Sequence, residues 1–161
     1  MLINIQKRSK RNKGFTLIEL LVVVSLIGIL ATLVLANVNS ARQRGRDAQR
    51  KSDIRNITTA LRLYYNDKGT YPGSSSGQIA GCGTLGTATC TWGQAFTAGS
   101  NTYMSTLPSD PLGTPNYRYT FVDSENYTLE ACLENKSDDK GKATPDGTTW
   151  CSTGWMFELK P

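Results

Sequence analysis

Residues 13–36 read KGFTLIELLVVVSLIGILATLVLA, and from Phe15 to Ala36 the only charged side chain is Glu19. As a helix rising ~1.5 Å per residue, the run from Phe15 to Ala36 reaches ~33 Å. That is enough to cross a hydrocarbon core of ~30 Å. The spacing predicts one membrane-spanning helix over 15–36. A carboxylate at the middle of a bilayer costs about 2.5–3.5 kcal/mol on insertion scales. Glu19 stands near the start of the run, where it either snorkels to the membrane edge or has a partner inside.

Charge is distributed unevenly on either side of this run. Lys7, Arg8, Lys10, Arg11 and Lys13 precede it with no acid among them, and the remaining 147 residues balance 13 basic against 13 acidic side chains. The net charge of +5 is therefore no sign of a nucleic-acid partner. It belongs to a basic flank that keeps the N-terminus in the cytoplasm under the positive-inside rule. A second basic cluster, Arg42, Arg44, Arg46, Arg50, Lys51, Arg55 and Arg62, is interrupted only by Asp47 and Asp53. It reads first as a solvated helix face. Its sharper reading is complementarity with the acidic globular part of another subunit.

The helix is predicted to continue over 37–67, since residues 37–66 contain no proline and one glycine, Gly45. Val38, Ala41, Gly45, Ala48 and Ser52 form a stripe of small side chains. Ile54, Ile57, Leu61 and Tyr64 or Tyr65 extend the period with larger apolar groups. The small stripe suits close approach of helices, and the larger one suits docking on a sheet. Asp67-Lys68-Gly69 ends the helix.

Residues 68–161 read as a globular domain. Gly73–Gly93 is predicted to be a Gly/Ser/Thr-rich loop, Gln94–Leu107 to include a short helix, and Pro108, Asp110-Pro111 and Gly113-Thr114-Pro115 to be turns. Alternation at Tyr117–Val122, Tyr127–Cys132 and Trp155–Leu159 predicts three antiparallel strands. The fold class is α+β: a long N-terminal helix, half transmembrane and half amphipathic, packed on a small antiparallel sheet. Cys82, Cys90, Cys132 and Cys151 all follow the membrane run, and an even count on the outer side reads as two disulfides. Four cysteines allow three pairings. Nearness in the chain favours Cys82–Cys90 with Cys132–Cys151.

Lys13 to Leu20, K-G-F-T-L-I-E-L, after a basic block and before an apolar run, resembles the start of type IV pilins and of the pseudopilins of type II secretion systems. The resemblance covers roughly residues 7–36. It implies removal of a basic leader, 1–14, by a prepilin peptidase that cuts between Gly14 and Phe15. It also implies N-methylation of Phe15, and a Glu19 that neutralises the new α-amine of a neighbouring subunit. The family fold is pilin-like, and the implied function is a structural filament subunit. Its partners would be further copies of the chain, prepilin peptidase, an inner-membrane assembly platform and, before assembly, membrane lipid. The implied location is a single pass through the bacterial cytoplasmic membrane, then an extracytoplasmic filament. Asp110-Pro111-Leu112-Gly113 with Tyr117-Arg118-Tyr119 is similar to the D-P-W-G…Y-x-Y stretch of major pseudopilins, whereas the extra cysteines are more like adhesive pilins. In the pseudopilins an acidic loop between later strands binds calcium. The matching loop, 134–147, holds Glu134, Asp138, Asp139 and Asp146 without EF-hand spacing, and solvated turn chemistry is the leading expectation there.

Two other classes compete. A signal peptidase cut after Val34-Leu35-Ala36 would release a soluble secreted binding module, but the apolar run is longer than the apolar core of a signal sequence and Glu19 interrupts its beginning. An enzyme fares worst. The chain has no histidine, no nucleophile elbow and no phosphate-binding glycine loop. Gly-Ser-Ser-Ser-Gly at 73–77 reads as a flexible loop. No catalytic residue and no cofactor is expected, with calcium in the 134–147 loop as the less favoured alternative.

Overall fold

The structure is a computed structural model describing residues 14–114, 117–144 and 150–161, with the side chains of 33–36 outside the description. Residues 1–13 of the leader, Pro115, Asp146 and the Val34-Leu35-Ala36 side chains therefore lie outside the described residues. Helix α1 runs Leu17–Lys68. Gly69 ends it with a left-handed φ of 72°, its N–H donating to the Tyr65 carbonyl at 2.8 Å. Glycine tolerates this cap because no Cβ resists it. The chain divides into two units, Met1–Ser40 and Ala41–Pro161.

In the first unit every described residue from Gly14 to Thr32 is exposed. Phe15 is 89% accessible and Leu17 80%. By length and composition this part of α1 is apolar enough to cross a membrane.

In the second unit α1 buries Ile54, Ile57, Leu61 and Tyr64, each side chain contributing roughly 1.5–3 kcal/mol when removed from water. They meet Ile79, Phe96, Tyr119, Tyr127, Leu129 and Leu133 in one core. Tyr64, Phe96 and Tyr103 pack as an aromatic cluster with centroids 5.1–5.6 Å apart. The stripe Ala41, Gly45, Ala48 and Ser52 lies exposed.

Among the described residues, nine strands follow the helix. β1 (Gly73–Ser75), β2 (Gln78–Cys82) and β3 (Ala88–Thr89) form one antiparallel sheet. β4 (Phe96–Ala98) pairs with β5 (Asn101–Met104). The third sheet is ordered β6 (Arg118–Asp123), β7 (Asn126–Cys132), β9 (Trp155–Leu159), β8 (Lys142–Ala143), all antiparallel. Its first three strands are the three read from alternation. β7 is central, and besides Tyr127, Leu129 and Ala131 it buries Glu130 and Cys132 on its other face. Arg118 on the neighbouring strand pairs with Glu130 at 2.5 Å.

Two expectations fail. Residues 94–107 hold a hairpin instead of a short helix: Gly99 takes φ 63° at the two-residue turn between Ala98 and Asn101. Phe96, Ala98 and Tyr103 point into the core. Gly-Ser between short alternating segments is a hairpin signal, and tertiary packing decided for it. The loop expected over Gly73–Gly93, with its Gly-Ser-Ser-Ser-Gly start, likewise holds strands β1, β2 and β3, the first two forming a hairpin. Ser76 at φ 50° and Gly77 at φ 78° form a type I′ turn, which matches the twist of the strands it joins. The Gly77 carbonyl accepts the Tyr119 N–H at 2.8 Å.

Candidate functional site

The start of α1 is a capping box, Thr16-x-x-Glu19. Glu19 Oε2 accepts the Thr16 N–H at 3.0 Å and the Thr16 hydroxyl at 2.8 Å, and the Glu19 N–H donates back to Thr16 Oγ1 at 3.3 Å. Such a box satisfies N–H groups that a helix start leaves without partners. Gly14 and Phe15 precede it without regular structure, and both are exposed. Glu19 therefore sits within one turn of Phe15 on a helix start with a positive dipole end. The T-x-x-E spacing is the sequence signal for this box, and neither the membrane-edge nor the assembly reading of Glu19 draws on it.

The second constellation joins the stem, the part of α1 from Ala41 to Lys68, to two loops of the same unit. Arg50 is 2% exposed, and its guanidinium contacts three carboxylates. Nε and Nη2 donate to Asp110 Oδ2 and Oδ1 at 2.6 and 2.9 Å, and Nη1 donates to Asp47 Oδ1 at 2.8 Å and to Glu134 Oε1 at 2.7 Å. Asp47 also accepts the N–H groups of Glu134 and Asn135 at 3.0 and 2.9 Å. Arg46 reaches both Glu134 oxygens at 2.7 and 2.5 Å, and Lys51 reaches Asp138 at 2.5 Å. Burial opposes the charge on Arg50, but hydrogen bonds to Asp110, Glu134 and Asp47 outweigh it and raise its pKa. The Arg46 hydrogen bond, with Arg50 behind it, holds Glu134 down at about 2. Lys51 likewise lowers Asp138. Beside this network the Tyr117 hydroxyl donates to Asp53 Oδ2 at 2.6 Å. Burial pushes the pKa of both groups up.

The basic cluster of the stem is thus divided. Arg42, Arg44, Arg55 and Arg62 are exposed, whereas Arg46, Arg50 and Lys51 turn onto acids of their own globular unit. Sequence reading missed Asp47 and Asp110 as partners of Arg50. The Asp47–Arg50 spacing of one turn was visible, but nothing local paired Arg50 with residues 60 and 84 positions away.

These pairings bear on the calcium loop that the resemblance raised. Glu134 is bound by Arg46 and Arg50, and Asp138 by Lys51 and by the Lys140 N–H at 3.0 Å. Asp139 is exposed. Among the described residues no group of three or more candidate ligands converges on a metal position. The described part of the loop does not bring together the six to eight oxygens that a hard divalent cation takes, and Asp146 lies outside the described residues.

The cysteines close two local loops. Cys82 is bonded to Cys90 and Cys132 to Cys151. The first bridges β2 to the residue after β3. The second ties the end of β7 to the approach to β9.

Comparison with known proteins places these features. The model of the prokaryotic N-terminal methylation motif matches residues 9–35, and the model of the type II secretion system protein G family matches residues 37–144. Type II secretion system core protein G of Pseudomonas aeruginosa is 36% identical over 110 residues, 68% of this chain and 74% of the relative. The protein of the same name from Pectobacterium carotovorum is 33% identical over 104 residues, 65% of this chain, and the match spans 64% of the relative's length. The Type IV major pilin protein PilA of Myxococcus xanthus is 34% identical over 67 residues, 42% of this chain and 30% of the relative. No solved structure matches the chain. With an N-terminal methylation motif, an exposed apolar helix and the protein G model covering most of its length, this chain belongs to the type II secretion system protein G family.

Proposed function

We propose that the chain is a structural subunit of a type II secretion pseudopilus. The observation that carries the reading is the N-terminal segment: an exposed Phe15, a capping box at Thr16 and Glu19, and a fully exposed apolar helix behind them. Prepilin peptidase removes residues 1–14 by cutting between Gly14 and Phe15, and Phe15 is N-methylated. Before assembly, residues 15–36 hold the subunit in the cytoplasmic membrane, N-terminus inside and globular unit outside. An inner-membrane platform then moves the subunit from lipid into a helical filament of identical chains.

Glu19 has a physical task in this sequence of events. Cleavage creates an α-amine at Phe15, and packing carries that cation into an apolar bundle. Coulomb attraction to a carboxylate strengthens as water is excluded. A Glu19 from a neighbouring subunit then favours one axial register, because any other leaves buried charge without a partner. The role is assembly, with no catalytic step. A soluble module released after Ala36 gains no support from a chain matching the methylation motif over residues 9–35.

Replacing Glu19 by Ala tests the proposal. The subunit is expected to be cleaved and to remain in the membrane, but to fail to enter filaments. Unimpaired filament yield from E19A would overturn the role given to Glu19.

A further inference from the structure

We infer that the guanidinium of Arg50 occupies the seat of a structural cation, fastening the loop after β7 to the stem in place of calcium. Three carboxylates from three separate segments, Asp47 on α1, Asp110 before β6 and Glu134 after β7, converge on this one group. The side chains of Arg50, Asp47 and Asp110 are 2%, 2% and 0% exposed. Convergence of acids on a sealed point is the electrostatic demand that a divalent ion otherwise meets. A planar guanidinium meets it here through two-point contact with Asp110 and single contacts with the other two. Arg46 and Lys51 complete the neutralisation at the rim through Glu134 and Asp138. The loop therefore closes on cations that the chain carries itself, and the Cys132–Cys151 bridge joins the two ends of the same loop. This conclusion is independent of filament assembly.

The test uses the full chain in detergent micelles, with thermal unfolding followed in chelator and in millimolar calcium chloride. The wild-type midpoint is expected to be the same in both. A calcium-dependent rise in the wild-type midpoint, or stoichiometric calcium uptake by calorimetry, would overturn the inference. Arg50→Ala supplies the converse measurement, since it leaves Asp47, Asp110 and Glu134 facing an emptied cationic seat. Its midpoint in chelator is expected to fall well below wild type, and calcium chloride is expected to raise it by several degrees. An Arg50→Ala chain that responds to calcium no more than wild type, or folds in neither condition, would count against the seat.

Discussion

Arg50 and Asp110 are 60 residues apart in the chain and meet through two parallel hydrogen bonds of 2.6 and 2.9 Å, with side chains 2% and 0% exposed. Removing one partner of such a pair strands the other. Arg50→Met is expected to cost about 3–5 kcal/mol of folding stability, read as a shift of the denaturant midpoint. Because an apolar pair of similar volume restores packing, Arg50→Met with Asp110→Leu should cost less than the sum of the single changes. Simple additivity in that cycle would mean the contact carries no coupling.

Acid should loosen the same junction. Glu134 has its folded-state pKa depressed to about 2 from an ordinary value of 4.5. Its contribution is then fully present above the ordinary value and is lost as pH falls from about 4.5 toward 2. Water at the rim of the site reduces the effect to about 1–2 kcal/mol. Glu134→Gln should flatten the pH dependence of the midpoint across that window. An unchanged slope would assign acid lability to other carboxylates.

Most of this architecture was legible, for reasons that differ by element. The helix declared itself through an apolar run, absence of proline and the Gly69 stop. β6, β7 and β9 declared themselves through aromatic alternation. The hairpins at 73–82 and 96–104 were obscured because Ser, Gly and Thr carry weak local signals and their register is set by packing against α1 and β6. The Thr16–Glu19 box was in plain view at a known spacing. The Arg50 network was not, because its partners are joined only by the folded chain.

The Cys132–Cys151 bridge spans 19 residues of sequence. In the chain-entropy picture a loop of that size is worth about 3 kcal/mol. Replacing both cysteines by serine should lower the midpoint by that amount and abolish the difference between oxidising and reducing conditions at this site. An equal midpoint with and without the bridge would show that ion pairs alone close the loop.

Two glycines should respond oppositely to alanine. A Cβ on Gly141 would run into the Trp155 indole at Nε1, whereas one on Gly45 meets nothing within 4 Å. Gly141→Ala is expected to destabilise by about 1–3 kcal/mol and to shift tryptophan emission. In isolated subunits, Gly45→Ala is expected to stabilise α1 by about 1 kcal/mol. Opposite signs would reverse the packing assigned to both positions.

The central claim concerns what happens at the N-terminus, and the intact mass and N-terminal sequence of the mature protein from cells test it most directly. A chain beginning at Phe15 and carrying one added methyl group is the result predicted for a processed filament subunit. A chain beginning at Asn37, released without its apolar helix, would contradict that account.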